Sequence, residues 1–201
     1  EAAQFEEGSA AAATLVDDVD GLTDALAEQQ DRLRGQVSTN ELLAASYDVL
    51  SAGFTEAGEA AEITGESARG AIAGFSDVGT VTDAVTTILN SYSDANLTAA
   101  EVVDQLVQTQ NLGKITVDQY AASIGRAASI ASTAGVGFEE LNAAVAAATA
   151  AGVAPESAVS GVRQAIINLI KPTADAKAQL DEFGIANAQA TLKSEGVVGV
   201  L

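Results

Sequence analysis

Few residues in this chain have types suited to chemistry. The acidic pairs Glu139-Glu140 and Asp17-Asp18 come nearest to the two carboxylates of a glycosidase, which must flank a scissile bond from opposite sides. Adjacent residues on a helix point about 100° apart, and 28 acids in 201 residues make such pairs inevitable. Asp18-Val19-Asp20-Gly21 is similar to part of a calcium loop, but that motif needs a further acid two residues earlier, where Val16 stands. Gly113-Lys114 is not a phosphate loop. Such a loop requires a glycine five residues before Gly113 and a hydroxyl after the lysine, and Gln108 and Ile115 occupy those places. Arg126 and Arg163 stand on otherwise apolar helices, where each is expected to pair with a neighbouring acid or to meet a partner. The sequence contains no His and no Cys, which excludes thiol nucleophiles, Ser-His relays, imidazole or thiolate metal sites and disulfides. No residue is assigned a catalytic, cofactor-binding or metal-binding role, and no enzyme activity and no cofactor are expected.

The elements that would carry these residues are helical. Hydrophobic residues make up 48% of the chain but aromatic ones only 4%, so a core must come from Ala, Val, Leu and Ile through close backbone approach. The net charge of −19 disfavours binding to nucleic acid phosphates or to an anionic membrane. The charge-free run Leu141 to Pro155 is shorter than the roughly 18 to 20 apolar residues of a spanning helix, so no transmembrane segment is expected. Glu1 to Ala13 has no signal-peptide pattern, and without an initial Met residue 1 is not expected to start the gene product.

From Phe5 to Leu33 apolar residues fall on a seven-residue repeat. Phe5, Ala12, Val19, Leu26 and Leu33 form one seam, Gly8, Leu15, Leu22 and Gln29 the other, and Asp17, Asp24 and Asp31 face outward. The spacing predicts one long helix over residues 1–36, either the end of a coiled coil or an amphipathic helix lying on its own domain. Gly35 ends it. Ser38-Thr39-Asn40-Glu41, Thr98-Ala99-Ala100-Glu101 and Thr116-Val117-Asp118-Gln119 then read as capping boxes. Other starts fall at Thr55, at Ser76 or Thr80, at Gly137 and at Pro155; stops fall at Gly74, Asn111 to Gly113, Gly135, Gly152, Pro172 and Gly184.

The predicted inward stripes are Leu42, Leu43, Tyr47 and Leu50; Ala60, Ile63 and Ala71; Val81, Val85, Ile88 and Tyr92; Val102, Leu106 and Gln110; Val117, Tyr120, Ile124, Ala128 and Ala131; Leu141, Ala144, Val145 and Ala148; and Val159, Val162, Ile166 and Leu169. Ala121, Gly125, Ala128 and Ser132 make a small-residue strip for a close neighbour. The short link Ala134 to Gly137 predicts an antiparallel hairpin. The glycine stops are too irregular to predict a solenoid. The expected fold class is all-α: several short antiparallel helices in an Ala/Gly-rich bundle over residues 38–184, preceded by the heptad helix of 1–36 and followed by the start of a further segment at 185–201.

Four stretches carry a resemblance: LSAGFTEAGEAAE, ARGAIAGFSDVGTVTDAVTTILNSYS, VVDQLVQTQNLGKITVDQYAASIGRAASIASTAGVGFEELNAAVAAATAAGV and VRQAIINLIKPTADAKAQLDEFGI. In this order, over about Leu42 to Ile185, the chain resembles the core region of phage tail tape measure proteins, with Gly137 where that family is expected to place a Ser cap. The resemblance implies a structural virion protein. Such a protein occupies the tail tube, helps to set tail length and leaves ahead of the DNA at ejection, having been made in the host cytoplasm. It implies tube and tail-tip or baseplate partners, a homo-oligomer formed through helices, no specific nucleic acid binding, and membrane contact only at ejection. A cellular coiled-coil scaffold or adaptor, a membrane-active helical module and a muralytic enzyme are the alternatives.

Overall fold

The computed structural model describes residues 2–182 and Ala190. Among these residues there are ten α-helices, one 3-10 turn and no strand, so the all-α expectation holds. The helices are α1 (Ala2–Ala12), α2 (Val19–Arg32), α3 (Thr39–Ser51), α4 (Ala57–Gly74), α5 (Val78–Ser91), α6 (Ala99–Leu112), α7 (Val117–Ala134), α8 (Phe138–Ala150), α9 (Pro155–Ile170) and α10 (Ala174–Glu182). The expected stop at Gly184 and the segment 185–201, Ala190 apart, lie outside the described residues.

Local chemistry explains most boundaries. The Thr98 and Thr116 boxes are both complete: each hydroxyl accepts from the third helical amide, while Glu101 or Gln119 accepts from the threonine N–H. At α3 only the serine half forms, with Ser38 Oγ accepting from Glu41 N. Asp77 caps α5 through Thr80 N, in place of the expected Ser76 or Thr80. Helix α4 starts after Glu56, one residue beyond the expected Thr55 and without a side-chain cap. Gly135 is left-handed at φ 82°, as a helix-ending glycine should be, and Pro155 sits in the first turn of α9. Gly113 ends α6 for a different reason. Its φ of −103° suits any residue, but a Cβ there would lie 2.4 Å from Thr149 Oγ1 and 3.1 Å from the Ala146 backbone.

The single heptad helix is not observed. Residues 13–18 separate α1 from α2, because Asp18 accepts a hydrogen bond from Gly21 N and starts a new helix, while Val16 turns into the core. The seven-residue spacing survives in part: α2 buries Leu22 and Leu26 and α1 buries Ala12, whereas Phe5, expected in the same seam, is exposed. Leu22, Leu26 and Leu33 are buried within the chain, α2 packing chiefly on α4, where Gly65 leaves room for the Gln29 side chain. Tyr47 also departs from its expected inward place and is 40% exposed.

Packing runs mainly between helices two places apart. The odd helices α1, α3, α5, α7 and α9 form one row and the even helices α2, α4, α6 and α8 a second, with α3, α4 and α5 the tightest link between rows. The expected α7–α8 hairpin is therefore a minor contact, since α7 packs mostly on α5 and α9, and α8 on α6. Against the expectation, this is the two-layer stack of a helical repeat protein. The caps of α3, α5, α7 and α9 fall at 38, 77, 116 and 154, so 39, 39 and 38 residues apart. Four residues after each cap stand Leu42, Val81, Tyr120 and Ala158, all buried in the same register.

Candidate functional site

Each residue singled out for chemistry has a structural position. Asp18 is a helix cap, which accounts for its spacing to Gly21, and among the described residues no group of three or more His, Cys, Asp or Glu side chains could hold a metal ion. Glu139 and Glu140 lie in the first turn of α8, where the helix dipole favours acids. Lys114 N donates to Thr149 Oγ1 at 3.2 Å, so its backbone ties α6–α7 to the end of α8.

Neither Arg126 nor Arg163 makes the expected ion pair among the described residues. Arg126 is exposed beside a groove of about 450 Å³ between α5 and α7 that Asp83 also lines. Arg163 is half-buried, with its Nε enclosed and without a hydrogen-bond partner. The arginine that does pair is Arg69, whose guanidinium meets Glu66 at 2.6 Å and Asp104 at 2.9 Å, joining α4 to α6. Desolvation opposes its charge, but the hydrogen bonds to Glu66 and Asp104 outweigh that and raise its pKa. The Glu66-Arg69 spacing is visible in sequence; the partner 35 residues away is not.

Two polar links cross the interior. The Tyr120 hydroxyl donates to Asn142 Oδ1, and Asn142 Nδ2 donates to Gln105 Oε1 at 2.8 Å, so one chain of bonds joins α7, α8 and α6. Burial and then the nearby Tyr92 push the Tyr120 phenol well above its ordinary pKa. The Tyr92 hydroxyl donates to Val136 O at 3.2 Å, and its ring meets Phe138 with centroids 5.7 Å apart. Burial and then Glu140 raise the Tyr92 pKa as well. Both tyrosines therefore stay neutral donors, which suits a fixed junction and not proton transfer.

What remains for function is the surface, and the stack has two unlike edges. At one, the α3–α4, α5–α6 and α7–α8 junctions lie side by side, tied by Asn90 Nδ2 to Ala52 O at 3.0 Å and by the Tyr92–Val136 bond. Residues 52–59, 92–101 and 135–140 hold Glu56, Glu59, Asp94, Glu101, Glu139 and Glu140 and no Lys or Arg. At the other edge Ser76 Oγ donates to Asp118 Oδ1 at 3.1 Å and Lys114 N to Thr149. That edge carries Phe75, 95% exposed, with Leu112 and Val153, also exposed.

A family model described as phage-related minor tail protein matches residues 27–201. The chain belongs to that family. No curated protein and no solved structure matches it. The match begins within α2, so α3 to α10 of this minor tail protein all fall inside it. Membership makes the chain a structural component of the phage tail and associates it with the virion.

Proposed function

We propose that this minor tail protein is a tape measure, and that the stacked helices are its folded core module. The observation that carries this reading is the ordered set of segments from Leu42 to Ile185 that resembles the tape-measure core, lying within the family match. The reading is of a non-enzymatic protein that works inside the tail tube during assembly and leaves ahead of the DNA. Its partners are tube and tail-tip proteins and further copies of itself through helices, with membrane contact confined to ejection.

We further infer a division of labour, which the stack supports. Packed helices lie about 8–10 Å apart, so each repeat of 39 residues advances the stack by about 9 Å. The same residues in one straight helix would span about 58 Å. A module folded this way contributes little length, and the measuring is done by extended helix elsewhere in the parent protein.

Electron microscopy of tails tests both halves. Deleting residues 78–116 joins Asp77 to Val117 and removes one repeat; tail length should change by no more than about 9 Å. In-frame deletions of equal size upstream or downstream of the module should shorten tails by about 58 Å. If tails keep their length whatever is removed, the tape-measure reading fails; if the repeat deletion also costs about 58 Å, the module is not folded as a stack in the tail.

A further inference from the structure

The acidic edge contains a cavity that none of the described residues fills. It has a volume of about 340 Å³, within the lower range of ligand pockets, and lies where α4 begins and α5 ends. Phe54, Leu89 and Leu97 form its apolar wall. All three are half-buried, packed against the core on one side and open to the cavity on the other. Asn96, left-handed at φ 51°, turns the chain so that Leu97 meets this wall.

Glu59 and Glu62 stand on the rim, three residues apart on one face of α4 and both exposed. The next acid in that series, Glu66, is paired with Arg69, whereas Glu59 and Glu62 have no ion pair among the described residues. The three junctions of this edge supply six acids and no base, so no cation of the junctions offsets the field at the cavity mouth. The same field repels nucleic acid and anionic lipid. It also disfavours a second copy of a chain with 28 acids and 9 bases.

We propose that this cavity docks a basic segment of a partner protein, an apolar side chain entering between Phe54, Leu89 and Leu97 while Lys or Arg about one helical turn away meets Glu59 and Glu62. An apolar anchor fixes position and the rim charges select the partner and speed its encounter. The inference rests on the cavity and its charges, not on the tape-measure reading, and is tested on the isolated chain.

The probe is a short helical peptide with one Phe and Lys one turn to either side. Two controls accompany it, one with Glu for Lys and one with Ser for Phe. In methyl and amide NMR titrations of the chain, the first peptide should give saturable shifts centred on Phe54, Leu89 and Leu97, and the controls should not. Glu59→Lys with Glu62→Lys should weaken binding at least tenfold, and the milder pair Glu59→Gln with Glu62→Gln several-fold with an unchanged far-ultraviolet spectrum. Absence of saturable shifts at the cavity, equal binding of the Ser control, or binding unchanged in both variants overturns the proposal. So do concentration-dependent shifts at the cavity in the chain alone, which would assign it to a second copy.

Discussion

Tyr120 is the residue at which the interior is most open to test. Tyr120→Phe removes the donor to Asn142 while keeping the ring, and leaves a buried amide oxygen without its partner. The cost should be about 1–3 kcal/mol, read as a lowered urea midpoint with an unchanged slope. Two carboxylates should respond to pH with opposite sign. Glu101 is held below its usual pKa by the Thr98 backbone N–H and then the Thr98 hydroxyl, so its charged form adds stability above the ordinary carboxylate range. That increment is lost as pH falls through the lowered value. Glu101→Gln should therefore reduce the melting temperature at neutral pH and make no difference in strong acid. Asp48 is raised by partial burial and then by Asp83, so ionising it opposes folding as pH climbs past 3.8. Asp48→Asn should raise the melting temperature slightly at neutral pH and leave it unchanged in acid. Thermal melts from about pH 2 to pH 7 check both. The Thr98 and Thr116 boxes are legible in sequence because a cap joins residues three apart. The Tyr120–Asn142–Gln105 chain is not, because its members lie 22 and 37 residues apart and only the packed helices bring them together.

Helices in this protein meet through glycine at some positions and merely tolerate it at others. A Cβ at Gly74 would lie 2.4 Å from Val117 Cβ, an atom fixed to the backbone of α7, so Gly74→Ala must push α4 away from α7. It should cost more than about 1 kcal/mol. Gly161, inside α9, has open space around the added atom, and Gly161→Ala should stabilise by about 0.5–1 kcal/mol because alanine loses less entropy in a helix. Chemical denaturation of the two variants would show the contrast, and two shifts of the same sign would contradict the packing described. The small-residue strip on α7 is readable from sequence. At Gly125 its neighbour is Thr87 of α5, whose methyl would stand 3.0 Å from an added Cβ, which makes the strip an intrachain contact there. The break in the heptad stretch is hidden because Asp18 also fits the seven-residue pattern, as a charged position flanking the seam beside Val19. An aspartate three residues before a helix glycine is equally a cap, and sequence spacing alone does not rank the two roles.

At the scale of the molecule, the stack is hidden in the sequence although its helices are not. The repeat is fixed by cap positions and by which side is buried, while the shared place is filled by residues as different as Leu42, Tyr120 and Ala158. Loops of unequal length blur the period further, and which helix lies beside which is decided by packing over distances the local pattern does not reach. The acidic edge is similarly illegible, since its six acids come from three separate junctions. Because each helix packs mainly on those one or two places along the chain, stability should be graded. Amide hydrogen exchange should be slowest in α4, α5 and α7 and fastest in α1 and α10; uniform protection from end to end would contradict this. The 39-residue spacing also gives the protein a mechanical character. Pulled along its axis, such a stack can peel one helix pair at a time, and each pair that opens releases about 130 Å of extended chain in place of about 9 Å of stack. Optical-tweezer traces should show a sawtooth with that increment, the signature of a strand that can be drawn out thin through a narrow passage without losing its continuity.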